Sequence, residues 1–251
     1  MKRICIDPGH GGNDSGAVAN GIREEDINLR LGLAVRAGLQ AIGHTVLMTR
    51  TSDIDVGLTA RGRFSVNQGA DVFLSIHHDA GASSARGCSA FYWSRNTPNG
   101  RNLATQVSEH IAAEWDLPFA YYGSPPDQDK KMPARVHWKS LGVLRGGDNW
   151  KHVTAALVEC CFLTSTKDVA NIRRDDYVAR TASAIVRGIQ AHIAFEWPND
   201  GSLQAVPDTP AGPRYFAATR YFLLDNDPAE ELEIANDVAD PPTGKVFLRR
   251  K

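Results

Sequence analysis

Three short stretches of this sequence carry side chains able to hold a divalent metal on short connections. His10 stands in the turn Asp7-Pro8-Gly9-His10-Gly11-Gly12, Glu24 is followed at once by Glu25, and His77 is followed by His78 after the apolar run Val72-Phe73-Leu74-Ser75-Ile76. Zinc hydrolysis needs three protein ligands and an open fourth position, and two histidines with one glutamate form one of the common sets. His10, Glu24 and His77 match that set. Glycines on both sides of His10 would let the backbone fold tightly around it. Each residue also has a plainer reading. A loop histidine is usually a surface residue, and a glutamate at a helix start usually caps it or meets the helix dipole. The glycine-rich turn could also cradle an anion, but it lacks the Lys and Ser/Thr ending of a P-loop and the G-x-G-x-x-G of a dinucleotide site.

The elements that would position these residues alternate strand and helix, a pattern that favours a mostly parallel, twisted sheet flanked by helices. Ile4-Cys5-Ile6 reads as a buried strand leading into the His10 turn. From Asp26, the spacing of Ile27, Leu29, Leu31, Val35, Leu39 and Ile42 predicts a helix with a broad buried face, closed by Gly43. Thr45–Met48 is the next strand, Leu58 to about Gln68 the next helix, and Val72–Ile76 a central strand delivering His77 at its carboxyl end, where open α/β sheets place their sites. Cys88–Trp93 reads as a strand and Asn99 to about Trp115 as a helix. Ala155–Val158 is a late strand that hands over to Glu159, and Lys167 to about Phe195 is mostly helix. Leu117–Ser140 has no periodicity and reads as a long loop, a candidate wall for a substrate.

A chain of 251 residues, 42% of them hydrophobic, can bury one sizeable α/β core with something left over. The expected organisation is a catalytic domain over 1–197, a Pro-rich linker over 198–213 and a short C-terminal appendage over 214–251. Within the appendage, Arg220–Leu224 and Lys245–Leu248 read as strands on either side of an acidic segment. A net charge of -1 argues against nucleic acid as a partner, and no apolar run reaches the roughly 20 residues of a membrane helix. The N-terminus lacks the zones of a secretory signal, so synthesis in the cytoplasm without a signal peptide is expected. Cys5, Cys88, Cys160 and Cys161 form no C-x-x-C pair and are expected as buried free thiols. The oligomeric state is not legible.

Taken in order, Ile6-Asp7-Pro8-Gly9-His10-Gly11-Gly12, Glu24-Glu25-Asp26-Ile27-Asn28-Leu29, Ser75-Ile76-His77 and Leu157-Val158-Glu159 before Phe162-Leu163-Thr164-Ser165 resemble the zinc-dependent N-acetylmuramoyl-L-alanine amidases of the Amidase_3 type. The resemblance spans about residues 3–195. It implies one zinc ion held by His10, Glu24 and His77, with Glu159 catalytic. Asn28, four residues on, selects Glu24 over Glu25, and the Ser-Ile-His match selects His77 over His78. His78 takes a place that is usually small in the family and would reach the substrate. Leu144-Arg145 resembles a segment that precedes the catalytic strand, which makes Arg145 a second candidate for substrate binding. Cys161 stands where the family commonly has Gly, so a local backbone displacement is expected there.

The implied activity is hydrolysis of the bond between N-acetylmuramic acid and L-alanine in bacterial peptidoglycan, by a phage or prophage endolysin or an autolysin acting on the cell wall. A zinc peptidase or carboxypeptidase on a related scaffold and a non-catalytic wall-binding module are the competing readings.

Overall fold

A computed structural model describes residues 1–92, 99–118, 141–145 and 153–195, together with two short strands near the C-terminus. In chain order the elements are β1 (Arg3–Pro8), β2 (Val18–Ala19), β3 (Ile22–Arg23), α1 (Glu24–Ala41), β4 (Thr45–Met48), α2 (Leu58–Asn67), β5 (Val72–Asp79) and β6 (Ser89–Tyr92). They continue as α3 (Asn99–Trp115), α4 (Gly142–Arg145), β7 (Thr154–Phe162), α5 (Asp168–Ile172), α6 (Tyr177–Ala194), β8 (Leu232–Ile234) and β9 (Leu248–Arg250).

The main sheet runs β4-β1-β5-β7-β6, with β6 alone antiparallel to its neighbour. This is the mostly parallel α/β sheet that the alternating pattern predicts. Its inner strands β1, β5 and β7 are buried along nearly their whole length, as strands covered on both faces must be. One face is covered by α1 over β1, β4 and β5, and by α3 over β6 and β7. The helix α6 packs against both, since a Cβ on Gly38 would meet Val186 and one on Gly188 would meet the backbone of Val107 at 2.6 Å. On the other face Cys5, Phe73, Ala155 and Leu157 pack with Val143 and Leu144 of α4 and with Phe64 of α2. Each fully buried Leu or Phe there contributes about 1.5–3 kcal/mol.

Among the boundaries that depart from the sequence reading, three bear on the site. The helix α1 begins at Glu24 rather than Asp26, because Ala17 and Ser15 carbonyls accept the amides of Glu24 and Glu25. Strand β5 continues to Asp79, and β7 runs on to Phe162, so His77, His78 and Glu159 lie inside strands rather than after them. The two strands pair with each other through these polar residues, His77 opposite Glu159 and Asp79 opposite Phe162. The hairpin β2–β3 went unforeseen, although its turn Asn20-Gly21 has positive φ at both residues (54° and 76°) and the Asn-Gly pair is the strongest short hairpin signal.

The chain divides into two units, Met1–His192 and Ile193–Lys251, against an expected boundary at 197. In the second, β8 and β9 pair antiparallel, with Ile234 opposite Leu248. The expected strand Arg220–Leu224, the linker 198–213 and the loop after Pro118 up to Ser140 lie outside the described residues, as does Lys245–Leu248 apart from Leu248 itself. All four cysteines are buried and free. No described helix is long and apolar enough to cross a membrane.

Candidate metal centre

The residues after β1 turn sharply. His10 has φ 60°, Gly11 127° and Gly12 65°, a run that glycine tolerates and histidine adopts only when its surroundings hold it there. Two buried arginines do so. Arg61, from α2, donates to the carbonyls of Pro8 and His10, both at 2.8 Å, and pairs with the buried Asp7 carboxylate at 2.8 Å. Arg50, just past β4, donates through Nε to Pro8 O at 2.9 Å and through one terminal nitrogen to Gly9 O at 2.9 Å and Glu25 O at 2.7 Å. One guanidinium thus ties the His10 turn to the first turn of α1. Removing Arg61 would strand a buried carboxylate, a change that costs about 3–5 kcal/mol.

Held this way, His10 Nε2 lies 3.1 Å from Glu24 Oε1, and His77 Nδ1 lies 3.0 Å from the same oxygen. The two imidazoles stand edge to face, 4.8 Å between ring centres. One ligand atom from each of the three residues falls within 4.8 Å of the others, and among the described residues this is the one cluster of three or more His, Cys, Asp or Glu so placed. His10 Nδ1 is 2.8 Å from Asp14 Oδ2. Donation of the Nδ1 proton to Asp14 leaves Nε2 bare for a metal, the usual outer partner of a ligating histidine. Glu24 Oε2 accepts the amide of Ala17 at 2.9 Å, and Oε1 that of His78 at 3.1 Å. Burial would raise the Glu24 pKa, but its contacts with His10 and His77 outweigh burial and hold the carboxyl well below the usual range. The donor set, its charge and its convergence fit a divalent metal ion.

Two glycines make room for the cluster. A Cβ on Gly9 would sit 2.2 Å from the His77 ring, and one on Gly16 would sit 2.5 Å from Glu24 Oε2 and 2.6 Å from His10. Gly9→Ala is therefore expected to displace His77 and to weaken metal binding by at least ten-fold, measured by competition with a chromogenic chelator. The three nearest atoms are all of the His77 ring, so the thermal destabilisation caused by Gly9→Ala should largely vanish in a His77→Ala background. Equal destabilisation in both backgrounds would refute the steric account.

Glu159 lies on β7 directly across from His77 on β5 and from Ser89 on β6. Its Oε2 is buried and without a hydrogen-bond partner. Burial first, then the charges of Asp79 and Glu24, push its pKa well above the usual carboxylate value. An unpaired carboxyl beside the ligand cluster is chemically available. Just beyond it, β7 holds one residue more than β5 between the pairs His77–Glu159 and Asp79–Phe162, a bulge at Cys160-Cys161.

The family model described as N-acetylmuramoyl-L-alanine amidase, Amidase_3, matches residues 4–191. The chain belongs to this amidase family. The sporulation-specific N-acetylmuramoyl-L-alanine amidase of Bacillus subtilis (strain 168) is 33% identical over 208 residues, 82% of this chain and 74% of its own. The endolysin of Bacillus phage SPP1 is 26% identical over 236 residues, 94% of this chain and 80% of its own. The crystal structure of N-acetylmuramoyl-L-alanine amidase from Clostridium difficile 630 has a TM-score of 0.66 at 26% identity and covers 78% of this chain and 98% of that one. The resemblance carried by the four motifs is thereby borne out.

Within this amidase domain, the remaining expected site residues have other settings. His78, expected to reach the substrate, is 1% exposed, and both its ring nitrogens face protein groups, Asn28 Oδ1 and the Tyr177 hydroxyl, each at 2.8 Å. Burial pushes its pKa down to about 4. Arg145 ends the short helix α4, and its side chain lies outside the described residues. Asp7, Arg50, Arg61, Asp14 and Tyr177 were missed.

Proposed function

We propose that this chain hydrolyses the amide bond between N-acetylmuramic acid and L-alanine in bacterial peptidoglycan, using one zinc ion held by His10, Glu24 and His77, with Glu159 as the acid-base residue. The observation that carries this reading is the placement of an unpartnered, buried carboxyl oxygen of Glu159 on the strand beside His77, next to a three-residue ligand cluster. Membership of the amidase family supplies the substrate class. When bound, zinc would supply Lewis acidity and bring the ionisation of a coordinated water towards roughly neutral pH.

The protein's own groups account for the rest. Glu24 brings one negative charge to the two neutral imidazoles, so a divalent ion held there would keep a net positive charge towards the reacting carbonyl. Glu159 would accept the proton of the attacking water and pass it to the departing alanine nitrogen. An amide nitrogen leaves poorly without that proton. Burial of Glu159 favours its protonated form, which suits the second half of this exchange.

Digestion of purified peptidoglycan followed by mass spectrometry tests the bond. The expected products are free stem peptides beginning with L-alanine and an intact glycan. Cuts within the peptides would indicate a peptidase instead, and an unchanged wall that retains the protein would indicate a binding module. Chelation is expected to abolish the release of stem peptides, and added zinc to restore it. Indifference to a strong chelator would overturn the metal assignment.

A further inference from the structure

Beside the ligand cluster, a string of buried polar groups runs from α6 to Glu24. Asn28 Nδ2 lies 3.3 Å from Glu24 Oε1 and 3.4 Å from Gly9 O. Both of those are acceptors, so the nitrogen of the Asn28 amide must face them and its oxygen must face His78. His78 Nδ1, 2.8 Å from Asn28 Oδ1, therefore carries a proton and donates it. A neutral imidazole with Nδ1 protonated has a bare Nε2, and the group facing it at 2.8 Å is the Tyr177 hydroxyl, which must donate. That leaves the Tyr177 oxygen to accept from the Cys161 thiol at 3.3 Å. Asn28, His78, Tyr177 and Cys161 are each 2% exposed or less.

The geometry points to a one-way hydrogen-bond relay, Cys161 to Tyr177 to His78 to Asn28 to Glu24, in which His78 and Tyr177 are positioning residues that hold the Glu24 carboxylate ready for the metal. The inference rests on the ligand assignment above. Its direction follows from the acceptors at the Glu24 end. If His78 could not donate to Asn28, the amide would be free to turn its oxygen to Glu24 Oε1, placing a partial negative charge against a carboxylate. The ligand would lose one of its fixed donors and would be pushed out of place. Outer partners of metal ligands typically change affinity by about 10–100-fold. His78 thus does its work from beside the ligand instead of at the substrate.

Two measurements test the relay on the full chain. The first is zinc affinity by chelator competition for the wild type, Tyr177→Phe, His78→Ala and His10→Ala. Tyr177→Phe keeps the ring that packs 5.3 Å from Trp115 and removes only the hydroxyl, so it should fold even where His78→Ala does not. The expected result is a loss of about 10–100-fold for Tyr177→Phe, with His10→Ala losing binding altogether. Wild-type affinity in Tyr177→Phe and His78→Ala, alongside loss in His10→Ala, would overturn the relay and leave the ligand assignment standing. No zinc binding by the wild type would instead overturn the assignment itself. The second is the nitrogen-15 spectrum of the His78 imidazole in the metal-free protein. Protonation at Nδ1, moving towards the commoner Nε2–H form in Tyr177→Phe, is expected; Nε2 protonation in the wild type would refute the stated direction whatever the metal result.

Discussion

Glu159→Gln is expected to lower kcat for peptidoglycan hydrolysis by about 10²–10⁴-fold, the usual contribution of a positioned acid-base group, while zinc affinity stays within a few-fold of wild type. Glutamine keeps the shape of the side chain but can neither take a proton from water nor return one to the leaving nitrogen. The substitution also spares the fold, because Glu159 Oε2 has no hydrogen-bond partner to lose and the strand pairing of β7 is made by the backbone. Burial and the charges of Asp79 and Glu24 already favour the uncharged form of Glu159, so a neutral amide in its place should leave the melting temperature about unchanged. Near-normal turnover by Glu159→Gln would remove the residue from the mechanism.

His10→Ala and His77→Ala are each expected to abolish zinc binding at micromolar metal and, with it, all measurable hydrolysis. Either change leaves Glu24 Oε1 without one of its two imidazole neighbours at 3.1 and 3.0 Å, so a buried carboxylate loses the contacts that keep it ionised. The stability of the metal-free protein should therefore fall in both variants, more so near neutral pH. The sign follows from the lowered Glu24 pKa: its stabilisation is present above the unfolded carboxylate value and is lost as pH falls. Metal content by elemental analysis, set beside turnover, gives the result. A His77→Ala protein that kept stoichiometric zinc at wild-type affinity would displace His77 from the ligand set.

The parts of the fold and site that the sequence disclosed are those written in local pattern. Strand β4 and helix α3 have the expected bounds because apolar spacing and flanking glycine or polar residues mark their ends. His10, Glu24 and His77 could be named because each sits within a few residues of a recognisable motif. What stayed hidden depends on contacts distant along the chain. Arg50 and Arg61 reach back more than forty residues to the carbonyls of the His10 turn, and nothing near either of them announces that partner. His78 is expected at the substrate because it takes a place that is usually small in the family, but its ring meets Tyr177, ninety-nine residues away, a contact that no local pattern announces. The end of β5 is set by its pairing with β7, which continues past Ile76 to Asp79, rather than by its own residues.

The two arginine forks bear on how the enzyme would meet its metal. The bonds from Arg50 and Arg61 to Pro8, Gly9, His10 and Glu25 run from side chain to backbone, with every acceptor a main-chain carbonyl. The His10 turn is thus held by the protein's own hydrogen bonds, unlike small zinc modules whose folding and metal uptake are a single event. Little of the ion's binding free energy is then consumed in ordering the polypeptide, and most of it can appear as affinity. Under the proposed metal assignment, removal and return of the ion are expected to abolish and restore activity without the chain passing through an unfolded state.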